Sequence, residues 1–257
     1  PVKTSRVRIE ELNLVPWPRS GKRSSRRLSI NGKSRIIADG KMRPLGSILS
    51  SEMNTLYELK PSVGADVRPG DIVLEIDPSL KKEEYKLNVN DCVRISGGSY
   101  AGVAAGTVTF LQALTINEQN KLGLPVMQVA DAPHATYRGL MVDTARRFHS
   151  PEKLRQIINL CRWYKIRYLQ IHLTDDQSFT FPSTAYPDLA TPGRSYTLEQ
   201  LKKLERYAAE RGVVIVPEFD VPGHSKAMKK AMPKVFGTKA GSSSTFNFAN
   251  PAARRAV

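Results

Sequence analysis

The sequence predicts an α/β chain in two parts, a small α+β domain over residues 1–133 and a strand–helix series over 134–257. Three observations lead there. The chain has 257 residues, close to the size, about 250 to 300 residues, at which single cores stop growing and chains divide. Up to Val129 short strand and helix patterns alternate irregularly, and Asp131-Ala132-Pro133 then supplies a turn at which the boundary is placed. From Tyr137 the order becomes β-α-β-α-β with short returns, which calls for parallel strands covered by helices. By topology alone a segment of a (β/α) barrel and a doubly wound sheet fit this order equally well.

In the first part, Leu28 to Ala38 reads as a hairpin around Asn31-Gly32, and Ile48 to Leu59 as a short helix. Strands are expected over Asp71–Asp77, Glu84–Val89, Cys92–Ser96 and Leu124–Val129. Gly102 to Leu114 is a helix rich in small residues. Its glycines, with Gly98 before them, lack the G-x-G-x-x-G spacing of a dinucleotide loop and suit close helix packing instead.

In the second part, Arg138–Asp143, Ile166–Leu173 and Val213–Phe219 are the strands. Ser150-Pro151-Glu152 opens the first helix with an N-cap serine and a proline at its first position, and Leu154, Ile157, Ile158, Cys161 and Tyr164 form its apolar face. Thr197 and Gln200 form a capping box for the second, Tyr196 and Leu201 a hydrophobic staple, and Gly212 its stop.

Composition narrows the class. At 40% hydrophobic and 25% charged residues the chain is an ordinary globular one, which excludes wholesale disorder, collagen and coiled-coil arrays. No apolar run reaches the roughly 18 residues of a membrane span, and residues 1–30 lack the apolar core of a signal peptide. The formal net charge is +15, and twelve of the 39 basic but only three of the 24 acidic side chains fall in residues 1–43. The densest stretch, Arg19 to Arg27, could bind a polyanion but has no interleaved aromatic residues for base stacking, so it reads as a solvated loop without a nucleic-acid partner. Cys92 and Cys161, far apart and without a C-x-x-C, read as core residues, suggesting neither a disulfide framework nor a thiolate zinc site.

The chemistry gathers at the strand ends. Asp143, Asp175-Asp176 and Asp220 each close one of the three parallel strands, at the carboxyl edge where α/β folds build their sites. Strand parity puts Leu169, Ile171 and Leu173 on one face and Gln170, His172 and Thr174 on the other, and groups Glu218 with Asp220 opposite Ile215 and Phe219. Acids turned inward are costly unless paired or used.

Three motifs in order, Tyr137-Arg-Gly-Leu-Met-Val-Asp143-Thr-Ala-Arg146-Arg-Phe, Ile171-His172-Leu-Thr-Asp175-Asp176-Gln-Ser-Phe179 and Val216-Pro-Glu218-Phe-Asp220-Val-Pro-Gly223-His224-Ser, resemble family 20 glycoside hydrolases, the β-N-acetylhexosaminidases. Upstream, Glu84–Val89 and Gly102–Gln112 resemble the small α/β domain that precedes the catalytic barrel there, so the resemblance covers about residues 70–250 well and the first 40 poorly. It implies a small α+β domain followed by an incomplete (β/α)8 TIM barrel of about three βα units. It further implies removal of terminal N-acetylglucosamine or N-acetylgalactosamine from an oligosaccharide or glycoconjugate with retention of configuration and without metal or cofactor; the residues themselves suggest no nucleic-acid or membrane partner. The substrate's own acetamido oxygen attacks the anomeric carbon, the exception to the usual two-carboxylate scheme. Compartments implied by the resemblance are secreted, periplasmic or lysosome-like.

By the same resemblance Arg146 grips sugar hydroxyls, Asp175 orients His224, and His172 and Asp220 line the pocket, while Gly223 permits the turn before His224. Arg147 departs from the histidine common in the family. The family's Asp-Glu pair after barrel strand four is expected to supply the acid/base; no Asp-Glu dipeptide follows Tyr137, so these residues read as an inactive, truncated piece. Two rival readings remain. One is a metal-dependent barrel hydrolase with His172, Asp175 and His224 as ligands, although no H-x-H or H-E-x-x-H occurs. The other is a non-catalytic polyanion-binding module built on the basic N-terminal run.

Overall fold

The computed structural model describes residues 12–64, 66–238 and 243–256; the part of the basic stretch in residues 1–11 lies outside them. The chain divides into two compact units, residues 1–136 and 137–257, with 162–165 and 210–212 grouping with the first.

The first unit is a mixed sheet covered by two helices. Its elements are β1 (Ser20–Ser29), β2 (Ile36–Ile37), α1 (Arg43–Tyr57), β3 (Val63–Gly64), β4 (Ile72–Ile76), β5 (Tyr85–Val89), β6 (Val93–Gly97), α2 (Tyr100–Ala113), β7 (Thr115–Ile116) and β8 (Leu122–Asp131). The sheet order is β1-β8-β5-β6-β4-β2-β3, with β7 on β8. Strand alternation explains the core: Tyr85, Leu87 and Val89 of β5 and Val93 and Ile95 of β6 are buried with Leu45, Leu49 and Met53 of α1 and Val103, Phe110 and Leu111 of α2. The opposite face is polar, and there Arg94 and Ser96 both bond Glu75.

Three sequence expectations fail here. Asn31-Gly32 does turn the chain, with the Ser34 amide donating to Asn31 O at 2.9 Å, but β1 pairs antiparallel with β8, and β2 lies between β3 and β4 near the far edge. The turn residues are local; the partner was chosen by the apolar face of β8, 96 residues from Arg27 in sequence, whose carbonyl at Gly123 the Arg27 guanidinium caps at 2.8 Å. The basic run is accordingly an edge strand with a bulge between Arg23 and Arg27, not a loop. Cationic side chains on an exposed edge discourage pairing with a second chain, which is how a stretch of low β propensity comes to be used there. Cys92, in the β5–β6 turn, is only partly buried, whereas Cys161 is buried, and burial pushes its thiol up to about 11.

The α2 glycines do serve close packing. A methyl group at Gly102 would lie 2.5 Å from the Glu84 carbonyl oxygen, and one at Gly106 2.6 Å from the Ile95 side chain. Gly102→Ala is therefore expected to force the helix off the sheet and cost about 1–3 kcal/mol; an unchanged thermal midpoint would refute this packing.

The second unit holds β9 (Gly139–Asp143), α3 (Pro151–Trp163), β10 (Tyr168–His172), α4 (Leu198–Ala209), β11 (Val214–Glu218) and three short helices, α5 (Lys226–Ala231), α6 (Pro233–Phe236) and α7 (Pro251–Ala256). Strands β9, β10 and β11 are parallel and lie side by side in chain order. Leu169 and Ile171 of β10 are buried with Leu154, Ile158 and Cys161 of α3 and Leu204 and Ala208 of α4. The capping box forms reciprocally, Thr197 N to Gln200 Oε1 at 2.8 Å and Gln200 N to Thr197 Oγ1 at 3.1 Å. Gly212 ends α4 at φ +76°, and the Val213 amide returns to Ala208 O at 2.9 Å, the six-to-one bond of a glycine stop.

Candidate active site

Register makes the site. In the parallel ladders Asp143 of β9, His172 of β10 and Glu218 of β11 are direct neighbours, so one row across the sheet reads carboxylate, imidazole, carboxylate. Parity keeps this row on the face opposite the apolar Leu169 and Ile171. Both His172 nitrogens are engaged, Nδ1 at 3.1 Å from Glu218 Oε1 and Nε2 at 3.0 Å from Asp175 Oδ2. Gln170, two residues earlier on the same face, donates to Glu218 Oε2 at 2.6 Å.

Asp175 is the hub. It is 2% exposed; its Oδ1 accepts the Asp176 amide at 2.6 Å and faces His224 Nδ1 at 3.2 Å, and its Oδ2 takes Arg146 Nη2 at 2.6 Å besides His172. That occupies roughly the four acceptor positions a carboxylate offers. Arg146 is clamped a second time, by Asp143 Oδ2 at 2.6 Å. Asp143 also accepts the backbone amides of Ala145 and Arg146 at 3.0 and 2.8 Å, which fixes the loop that carries the guanidinium. Asp220 stands at the rim, 4.0 Å from His224 Nε2, its amide donating to Thr174 Oγ1 at 2.9 Å.

Of the five side chains singled out from the sequence, Arg146, His172 and His224 thus surround the carboxylate of Asp175, and Asp220 stands 4.0 Å from His224. Their accessibility differs. The side chains of Arg146 and His224 are 49% and 48% exposed, but that of His172 only 5%. The side chains of the paired Asp175 and Asp176 part company: while its amide bonds Asp175, the Asp176 carboxylate accepts the Lys226 amide at 3.0 Å at the start of α5. The expected role of Gly223 passes to its neighbour, since His224 itself has φ +50° while Gly223 has no positive φ. A histidine in that region is strained and is held by its surroundings; the fully buried Ser225 hydroxyl bonds the Pro222 and Gly223 carbonyls at 3.0 and 2.7 Å.

Sequence reading did not place Gln170, Glu218 or Arg194 in the site. Arg194 Nη2 caps the Ala145 and Arg146 carbonyls at 2.8 and 3.0 Å from 48 residues away in sequence, and no local pattern announces such a contact. The first two carried a signal in their shared parity with His172.

Charge sets the proton affinities. Burial by itself would raise the Asp175 carboxyl, but the Asp176 amide, His172, Arg146 and His224 outweigh it and hold it below the usual carboxylate value. Asp143 is likewise depressed, burial being overcome by the Arg146 amide and guanidinium, and Glu218 is lowered chiefly by Gln170. Burial would lower His172, but its bonds to Asp175 and Glu218 and the charges of Glu218 and Asp143 raise it. The carboxylates therefore contribute stability that is present above about pH 4 and is lost as pH falls, and His172 contributes stability that is complete below about pH 6.5 and is lost as pH rises through its elevated folded value. Thermal unfolding is expected to be most resistant between those limits. A midpoint that climbs steadily from pH 6.5 to 9 would contradict the His172 part.

Among the described residues, three groups could offer a metal ion ligand atoms within 4.8 Å of one another: Asp143, His172, Asp175; His172, Glu218, Asp220; and Asp175, Asp176, His224. The donor chemistry does not fit one well. The Arg146 guanidinium already sits where a cation would balance Asp143 and Asp175, and each His172 nitrogen faces a carboxylate rather than a common centre.

A parallel α/β sheet with an ion-paired, half-open cluster at the carboxyl ends of its strands defines the class: an α/β protein with its site where that architecture builds catalytic sites. The sequence matches two family descriptions, "Glycosyl hydrolase family 20, domain 2" over residues 11–132 and "Glycosyl hydrolase family 20, catalytic domain" over 136–253. It is 31% identical over 246 residues to a beta-hexosaminidase of Vibrio furnissii, covering 87% of this chain and 40% of that protein. Among solved structures, the exo beta-N-acetylglucosaminidase of Vibrio harveyi in complex with N-acetylglucosamine superposes with a TM-score of 0.84 at 25% identity, over 94% of this chain and 43% of that one. The Flavobacterium johnsoniae chitobiase gives 0.83 at 28%, over 98% and 42%. The chain belongs to glycoside hydrolase family 20; it spans less than half the length of these relatives.

Proposed function

We propose that the protein is an exo-acting β-N-acetylhexosaminidase, and that the three parallel strands of its second unit are the opening units of a (β/α)8 barrel. Supporting the barrel, β9, β10 and β11 run in chain order, and Leu140, Met141 and Val214 on the two outer strands are exposed apolar side chains that neighbouring strands would cover. Supporting the activity, and carrying it, is the convergence of Arg146 and His224 on Asp175 at 2.6 and 3.2 Å. Arg146, immobilised by two carboxylates, turns its remaining N–H groups to a pair of sugar hydroxyls. Asp175 fixes the ring of His224, whose far nitrogen is left to contact the acid/base that the family likeness assigns to a later strand. Nucleophilic attack by the substrate's acetamido oxygen requires no nucleophile from these residues.

The test is hydrolysis of aryl N-acetylglucosaminide and N-acetylgalactosaminide by the protein at its full encoded length. Release of the β-anomer first is expected, undiminished by chelator. A polypeptide of these 257 residues is expected to show no turnover, since it contains no Asp-Glu pair. Cleavage of plain aryl glucosides but not of the N-acetylated sugars would overturn the assignment.

A further inference from the structure

The geometry points to His172 as an imidazolium at neutral pH, a positioning residue that bridges Glu218 and Asp175 and thereby locks the carboxylate on which Arg146 and His224 depend. A neutral imidazole has one N–H and one bare nitrogen, so between two ionised carboxylates one contact would set lone pair against lone pair. Here neither nitrogen has an alternative. Nε2 is 3.0 Å from Asp175 Oδ2 and Nδ1 is 3.1 Å from Glu218 Oε1, and the residue is 4% exposed, which leaves little room for water to mediate. A proton on each nitrogen satisfies both.

The surroundings fit a cation. From β9 the ring faces Asp143, with Arg146 beyond it; from the turn after β10, Asp175; from β11, Glu218, with Asp220 at the rim. On its own strand, Gln170 donates to Glu218 Oε2 at 2.6 Å, which leaves Oε1 to the ring. Asp143, Asp175 and Glu218 carry three negative charges against the single charge of Arg146, so a second positive charge at His172 reduces the imbalance. The electrostatic surroundings raise the affinity of this ring for its proton. The consequence for function, which rests on the glycosidase reading, is that His172 does not touch the sugar. It holds Asp175 ionised and oriented, and Glu218 is the anchor that keeps His172 charged.

The experiment uses full-length protein labelled with ¹⁵N in its histidine rings, the His172 signals being assigned by their loss in His172→Gln. Both His172 nitrogens are expected to resonate as protonated imidazolium at pH 7.5. In Glu218→Gln, which keeps the shape but removes one counter-charge, the His172 titration is expected to fall by about one pH unit or more. The alkaline limb of kcat/KM should move down with it, so that the loss relative to the unmutated protein grows as pH rises. A bare nitrogen at pH 7.5 in the unmutated protein, or a Glu218→Gln loss equal at every pH, would overturn the proposal. The labelling result does not depend on turnover: protonated rings in a protein inactive on N-acetylhexosaminides would refute the glycosidase reading alone.

Discussion

In the protein at its full encoded length, Asp175→Asn is expected to lower kcat/KM on an aryl N-acetylglucosaminide by at least about a hundredfold, a loss of roughly 2.7 kcal/mol of transition-state stabilisation. The substitution preserves size, but the amide has one oxygen where the carboxylate has two. If its NH₂ faces Arg146 and His172 it meets two cations; if it faces the Asp176 amide and His224 it meets two donors. Either orientation breaks half of the hub. Removing the charge also leaves Arg146 and His172 short of a counter-ion, and losing one partner of a buried ion pair costs about 3–5 kcal/mol. The thermal midpoint should therefore drop along with activity, and the two effects separate at low temperature, where folded variant can be assayed. Folded Asp175→Asn protein with near-normal kcat/KM would remove Asp175 from the centre of the site.

Arg146→Lys is expected to be almost as damaging as Arg146→Ala, each lowering kcat/KM by about a hundredfold. The guanidinium reaches Asp143 Oδ2 and Asp175 Oδ2 at once, both at 2.6 Å, through two different nitrogens and still has N–H groups for a ligand. A lysine ammonium is a point charge with three donors and cannot hold both carboxylates and a hydroxyl pair in one plane. Binding loss should show first in KM. A lysine variant within about threefold of the unmutated enzyme would mean that charge alone matters here, against the fork argument.

The edge strand and the site show what can be read from a chain and what cannot. Capping signals, helix faces and strand parity are short-range, governed by neighbours within about four positions, so the Thr197–Gln200 box, the α3 apolar face apart from Tyr164, which lies exposed just past the helix end, and the division of β10 into Leu169/Ile171 and Gln170/His172 faces were legible in the sequence. The pairing of β1 was not. Asn31-Gly32 favours a hairpin locally, yet the strand across from β1 is β8, because the sheet's register is settled by which apolar faces can be buried together.

The site divides in the same way. Resemblance to the motifs of family 20 marked Arg146, His172, Asp175, Asp220 and His224, while the residues by themselves announced only acids at the ends of three parallel strands. Only the folded chain decided that His172 stands between Asp143 and Glu218, that the Asp176 carboxylate turns to the Lys226 amide, and that Arg194 braces the Arg146 loop. Those facts depend on parallel register and on distances of a few ångströms between strands far apart in sequence, and electrostatic energy varies steeply over that range while sequence spacing carries no measure of it.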